Sequence, residues 1–126
     1  MSLGIRTIFQ KTAASVITNN ATLATIGLLS AIAANQTQKV RAWIPITVGA
    51  TGGVRAIVTV PTGGTIFMVT FKLFNTVAPS LTTAAQSASA AFTSALANAG
   101  THWIEIEGVI VNGTTAGSID IQLAQN

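Results

Sequence analysis

Strict alternation near the end of the chain is the feature that most constrains its fold. Ile104 and Ile106 alternate with Trp103, Glu105 and Glu107, and later Ile119, Ile121 and Leu123 alternate with Ser118, Asp120 and Gln122. A period of two, with β-branched residues on one side, puts alternate side chains on opposite faces of a half-buried strand. Between the two runs stands the turn-forming Asn112-Gly113-Thr114-Thr115-Ala116-Gly117. The sequence therefore predicts a closing β-hairpin over residues 103–126.

The same period recurs upstream. Over residues 38–48, Val40, Ala42, Ile44 and Ile46 share one face and Lys39, Arg41 and Trp43 the other. Pro45 removes one ladder donor there, which predicts a sheet edge or a bulge. Residues 54–60 read as a strand, Pro61-Thr62-Gly63-Gly64 as a tight turn, and residues 65–74 as the most apolar, central strand. In that strand Phe67, Val69, Phe71 and Leu73 take one side, and Ile66, Met68, Lys72 and Phe74 the other. Residues 11–18 form a weak strand. Residues 23–33 are read as a strand, although Ala and Leu favour a helix there. Residues 75–100 are dominated by Ala, Ser and Thr. Residues 84–99 are Ala-rich enough for a helix, while Ala91-Phe92-Thr93 would suit a strand. Six or seven short strands with frequent turn signals predict a sandwich or barrel. A jelly roll closes with eight, so this stretch should supply at least one.

A chain of 126 residues is long enough for one core without metal or disulfides, and it has no Cys. Charged residues make up only 7% of it, against about 25% in ordinary soluble domains, and the mean hydropathy is +0.60. Such a surface belongs either in a membrane or against other protein. A membrane helix needs roughly 18 or more apolar residues. The longest candidate, residues 21–34, is interrupted by Thr22, Thr25, Gly27 and Ser30. An obligate assembly is the expectation, because charge is depleted at interface cores. The net charge of +3 comes from scattered residues (Arg6, Lys11, Lys39, Arg41, Arg55, Lys72). A nucleic-acid site would gather them into a patch, so neither a nucleic-acid nor a membrane partner is expected. Residues 1–10 lack the apolar core of a secretory signal, and Asn-x-Thr sequons at Asn20, Asn35 and Asn112 carry no weight without one.

The charged strands suggest a pairing. Lys39-x-Arg41-x-Trp43 read forwards mirrors Trp103-x-Glu105-x-Glu107 read backwards. Antiparallel pairing would set Lys39 against Glu107 and Arg41 against Glu105, and would stack the two Trp rings. Opposite charges and aromatic pairs across strands contribute roughly 0.2–1 kcal/mol each. The same residues admit sharper readings. His102, the only histidine, would need a carboxylate and a nucleophile beside it to act as a base. Glu105 and Glu107 lie roughly 6.5–7 Å apart along one strand face, a spacing compatible with a glycosidase pair. Catalytic carboxylates, however, flank a cleft, and the facing Lys/Arg strand accounts for them more simply. Trp43 and Trp103 could stack sugars. The glycine pairs at 52–53 and 63–64 lack phosphate-loop spacing. No catalytic residue, cofactor or metal is expected, and the chain is not expected to be an enzyme.

Several short motifs resemble those of one family. Lys11-Thr12-Ala13, Val16, Leu23 and Ala33-Ala34-Asn35 before a long strand are similar to the opening of small tailed-bacteriophage virion proteins with a jelly-roll β-sandwich. Val60-Pro61-Thr62-Gly63 looks like their central turn. Gly108-Val109, Asn112 to Gly117 and Leu123-Ala124-Gln125 look like their C-terminal pattern. That family includes capsid decoration (cement) proteins and head- or tail-fibre domains. The resemblance implies an all-β, antiparallel jelly-roll sandwich of about eight strands over residues 11–126, preceded by an extended arm, residues 1–10. It implies a structural virion protein on the capsid surface, partnered by itself, as a trimer or dimer, and by the major capsid protein. Leu3, Ile5, Arg6, Ile8 and Phe9 of the arm are the expected capsid contacts. A fibre module that binds a receptor or glycan is the alternative.

Overall fold

The computed structural model describes residues 5–10, 15–16, 22–48, 52–76, 80–86, 91–96 and 99–125. These contain ten strands: β1 (Ile5–Gln10), β2 (Ser15–Val16), β3 (Ala24–Ile32), β4 (Thr37–Val48), β5 (Gly52–Thr59), β6 (Thr65–Asn75), β7 (Ser80–Gln86), β8 (Phe92–Leu96), β9 (Gly100–Val111) and β10 (Gly117–Gln125). No described residue is helical. The Ala/Ser-rich stretch supplies two strands, β7 and β8, because its residues pair with β6 and β5. Ladder pairing with β6 and β5 overrides the helix propensity of alanine there.

Two sheets pack face to face as a sandwich. One runs β1-β4-β9-β6-β7, with β2 also on β4, and the other runs β3-β10-β5-β8. Every pairing is antiparallel except those of β1 and β2 with β4. The main pairings are nested: β3 with β10, β4 with β9, β5 with β8, and β6 with β7. The second half of the chain thus retraces the first, strand by strand, and from β3 to β10 every successive pair changes sheet except β6 and β7.

Alternation explains the core. Val40, Ala42, Ile44, Ile46, Ile104, Ile106, Phe71 and Leu73 from one sheet meet Val54, Val58, Ile119, Ile121 and Leu123 from the other, all buried. Phe71 and Phe92 stack across the gap with centroids 5.4 Å apart. Each fully buried side chain of this size contributes ~1.5–3 kcal/mol relative to exposure.

Three expectations need correction. Residues 103–126 are not a hairpin: β9 is flanked by β4 and β6, and β10 by β3 and β5. Each strand's two edges are already taken, so the turn at 112–116 crosses between sheets. In β6, Ile66 is buried with Val69 and Phe71. A bulge between Ile66 and Met68 shifts the alternation by one residue, and Ile66 comes onto the core face. Lastly, β6 is interior, but β9 holds the centre of its sheet.

Pro45 lies in a gap. Pairing of β1 with β4 ends at Trp43, and pairing of β2 begins at Ile46. The ring falls where neither strand requires a donor. The part of the N-terminal arm that is described, Ile5–Gln10, runs along β4 of its own chain. Leu3 lies outside the described residues, as do the side chains of Ile5, Arg6, Ile8 and Phe9.

The recognisable motifs converge at one end of the sandwich. Asn112 Nδ2 donates to Ala33 O and to Thr115 O, each at 2.9 Å. Asn112 N donates to Gln36 O at 2.9 Å, and Asn35 N donates to Gly113 O at 2.7 Å. Asn35 takes a left-handed φ of 57°, which asparagine tolerates better than most residues. A Cβ on Gly113 would overlap Gly63 O, and one on Gly117 would lie 2.8 Å from Pro61 Cγ. The turns at 33–36, 61–64 and 112–116 therefore form one interlocked corner, and each of them bridges the two sheets.

Candidate interaction surface

The charged and aromatic residues singled out by alternation lie on the outer face of the β4-β9-β6-β7 sheet. Their register is two residues away from the mirrored pattern. Arg41 stands opposite Glu107, Trp43 opposite Glu105, Lys39 opposite Val109 and Trp103 opposite Pro45. Arg41 still reaches Glu105 diagonally at 3.5 Å and approaches Glu107 at 3.9 Å. Its guanidinium also covers the Trp43 ring, 4.2 Å from the centroid. Trp43 therefore stacks on a cation, with Trp103 one step along the diagonal.

A shift of two residues leaves the same side chains facing inward, so the choice rests on which core residues stand opposite one another and on the closing turn. Inward-facing Ala42, Ile44 and Ile46 stand opposite Ile106, Ile104 and His102, and the link to β10 must end in the interlocked corner. Those constraints act on every residue of both strands. The surface pairs contribute little against them, since exposed ion pairs are worth ~0–1 kcal/mol.

Row by row, the face changes character. Pro45, Trp103, Phe74 and Leu81 lie side by side across four strands, and the last three are 43%, 37% and 53% exposed. The next row is Trp43, Glu105, Lys72 and Thr83, followed by Arg41, Glu107, Thr70 and Ala85. Exposed Met68 lies opposite Val109 beyond them. A charged centre is thus bordered on one side by an apolar row and on the other by Lys39, Val109 and Met68. An open depression of about 450 Å³ is lined by Lys39, Arg41, Glu107, Gly108 and Val109. A second, of about 240 Å³, is lined by Thr70, Lys72, Glu105 and Glu107.

The sequence placed Phe74 on the side of Lys72, which is this face. Its alignment with Trp103 and Leu81 depends on register across three strands and could not be read from local spacing. Leu81 lay hidden in the Ala/Ser-rich stretch, where no alternation of large residues marks a strand.

His102 belongs to the interior. It is fully buried, and Thr76 N donates to its Nδ1 at 3.1 Å. The Thr76 hydroxyl donates to Thr101 O, so the histidine and its neighbour tie the start of β9 to the end of β6. Glu105 and Glu107 face Arg41, and among the described residues no three His, Asp or Glu side chains gather where a metal could be held. The face sets a flat apolar row beside paired charges. No protein-family model matches the chain, and no curated protein matches it.

Proposed function

We propose that this chain is a jelly-roll virion protein of the capsid-decoration (cement) type, which binds a phage shell as a homo-oligomer and stabilises it mechanically. The observation that carries this reading is the nesting of β3/β10, β4/β9, β5/β8 and β6/β7 across two sheets. Nested pairing of eight strands across two sheets suits a jelly roll, which is built from two Greek keys. β1 and β2 are additions along one edge. Three of the motifs that resemble such proteins (Ala33 to Asn35, Pro61 to Gly63, Asn112 to Gly117) also pack into one corner, which supports reading them together. The low charge of 7% and the exposed Trp103–Phe74–Leu81 row suit a protein that works against other protein surfaces.

Clamping would be noncatalytic, through apolar and backbone contacts. Because Ile5–Gln10 already pairs with β4 in cis, docking through residues 1–10 would require that strand to leave β4. Mixing the purified chain with undecorated shells of the phage that encodes it, then sedimenting, tests the reading. Saturable co-sedimentation, with a raised shell disruption temperature, is the expected result. Absence of binding at micromolar concentration would refute it. A chain lacking residues 1–10 that binds unchanged would remove the arm from the contact set.

A fibre module that binds a glycan is the second reading, favoured by Trp43 and Trp103, which are 37% and 43% exposed beside polar depressions. Binding on a glycan array that disappears in Trp103→Ala or Trp43→Ala would support it.

A further inference from the structure

Sheet edges expose unpaired backbone donors and acceptors, and proteins that stay single blunt them with charge, Pro, bulges, short strands or covering segments. The described residues form four such edges: β1 and β7 in one sheet, β3 and β8 in the other. β1 carries Arg6. β3 is broken by a register shift opposite Asp120 to Gln122, and β8 has only five residues. Even the stretch of β5 that runs past β8 is covered, because the Gln86 carboxamide bonds both Val58 N and Val58 O.

Among the described residues β7 has none of these devices. Ser80–Gln86, SLTTAAQ, has no charged residue and no Pro, and it pairs with β6 without a register shift from Asn75↔Ser80 to Val69↔Gln86. Among the described residues no strand pairs with its other edge.

We propose that β7 is the self-association edge of this protein: two copies join antiparallel through β7, extending one sheet across a two-fold axis. This deepens the homo-oligomer of the proposed function and commits it to a dimer at this edge. Two-fold pairing over the full strand has one register, with Thr83 opposite Thr83 of the second copy and Leu81 opposite its Ala85. An isologous contact of this kind is self-complementary by symmetry. The exposed side chains brought to the seam, Leu81, Thr83 and Ala85, are all uncharged. The nearest cation, Lys72, is the β6 neighbour of Thr83. Its counterpart in the second copy lies three strand spacings away, about 14 Å, beyond the ~8–10 Å screening length at moderate salt. A peptide or a capsid strand could add to the same edge in the β-augmentation mode. The symmetric register and the neutral seam favour a second copy.

The chain contains no cysteine, which makes a direct test available. Residues directly opposite in an antiparallel pair have Cα atoms about 4.5–5.5 Å apart, within disulfide range. In the full-length protein, Thr83→Cys should form a covalent dimer under mild oxidation at low micromolar concentration. Thr93→Cys, exposed on β8, should stay monomeric on the same gel. Sedimentation velocity should give a dimer for the unmodified chain and a monomer for Thr83→Lys, with unchanged far-ultraviolet circular dichroism. If the unmodified chain sediments as an oligomer that Thr83→Lys leaves intact, or if Thr83→Cys cross-links no faster than Thr93→Cys, the β7 edge is wrong and the homo-oligomer reading stands. If the unmodified chain is a monomer at tens of micromolar, both are wrong.

Discussion

The side chain of Gln86 substitutes for a missing strand beside Val58. Its Oε1 accepts from Val58 N at 3.3 Å and its Nε2 donates to Val58 O at 3.1 Å, joining β7 of one sheet to β5 of the other. The register of β5 with β8 stops at Ala56↔Phe92, so among the described residues Val58 has no partner strand on that side. Without the amide, a buried N–H and a buried C=O would both be orphaned.

Gln86→Ala should therefore destabilise the protein by about 2–4 kcal/mol, since each orphaned buried group costs ~1–3 kcal/mol. Gln86→Glu should cost at least as much, because a carboxylate cannot donate to Val58 O and would be buried as a charge. Urea unfolding with an unchanged m-value checks both. A change below 0.5 kcal/mol, an effect on the order of a neutral surface substitution, would refute the pairing.

At the interlocked corner, Asn112 supplies the donors. Asn112→Asp keeps the shape but turns two donations, to Ala33 O and Thr115 O, into oxygen–oxygen contacts. A loss of about 2–3 kcal/mol is expected, read as a drop in melting temperature of roughly 3–5 °C per kcal/mol. Asn112→Ser should fall between the two.

Gly108 permits the bulged approach of β9 to β6. A Cβ there would overlap Met68 O and lie 2.7 Å from Val69 Cα, both of them backbone atoms that cannot swing away. Gly108→Ala should cost about 3 kcal/mol or more, at or above the usual range for overpacking. Gly64→Ala, whose Cβ would meet Pro61 O and the Asn112 side chain at 2.9 Å each, overlaps less deeply and should cost less. Parallel denaturation curves would rank them.

The charged centre of the outer face should matter little to folding. Arg41→Gln removes the contacts to Glu105 and Glu107 from a side chain that is 32% exposed. A change within about 1 kcal/mol is expected. Tryptophan emission should nevertheless shift, because the guanidinium leaves the Trp43 ring. Emission identical to that of the parent protein would show that the cation–ring contact does not form in solution.

Strand identity and facing were legible wherever large residues alternate. Val40, Ala42, Ile44 and Ile46 face inward and Lys39, Arg41 and Trp43 outward, because a single strand carries its own period. What a strand pairs with is decided elsewhere. The runs before and after Asn112 look like a hairpin locally, yet β9 and β10 belong to different sheets, since each finds partners far back in the sequence. The surface pattern of Arg41 and Glu105 indicated neighbouring strands but missed the register by two residues, because a slip of two keeps every side chain on its face and local pattern does not separate the two registers. Gln86 was invisible: one amide in an Ala/Ser-rich stretch gives no sign of the strand end it covers.

The nesting of the four main pairs also prescribes an order of events. β6 and β7 meet across the short link between Asn75 and Ser80, whereas Ile32 must find Gly117 after nearly the whole chain has been made. Contacts this distant in sequence are slow to form, typically on the millisecond-to-second scale for β-sandwiches, and the innermost pair incurs the least loop-closure entropy. Assembly should therefore zip outward from β6–β7 and finish at β3–β10. Because β10 sits between β3 and β5, the second sheet cannot be built on a ribosome until the final strand has emerged. Until then half of the core waits for its lid, and that interval is when the nascent protein is most exposed to aggregation or in need of a chaperone.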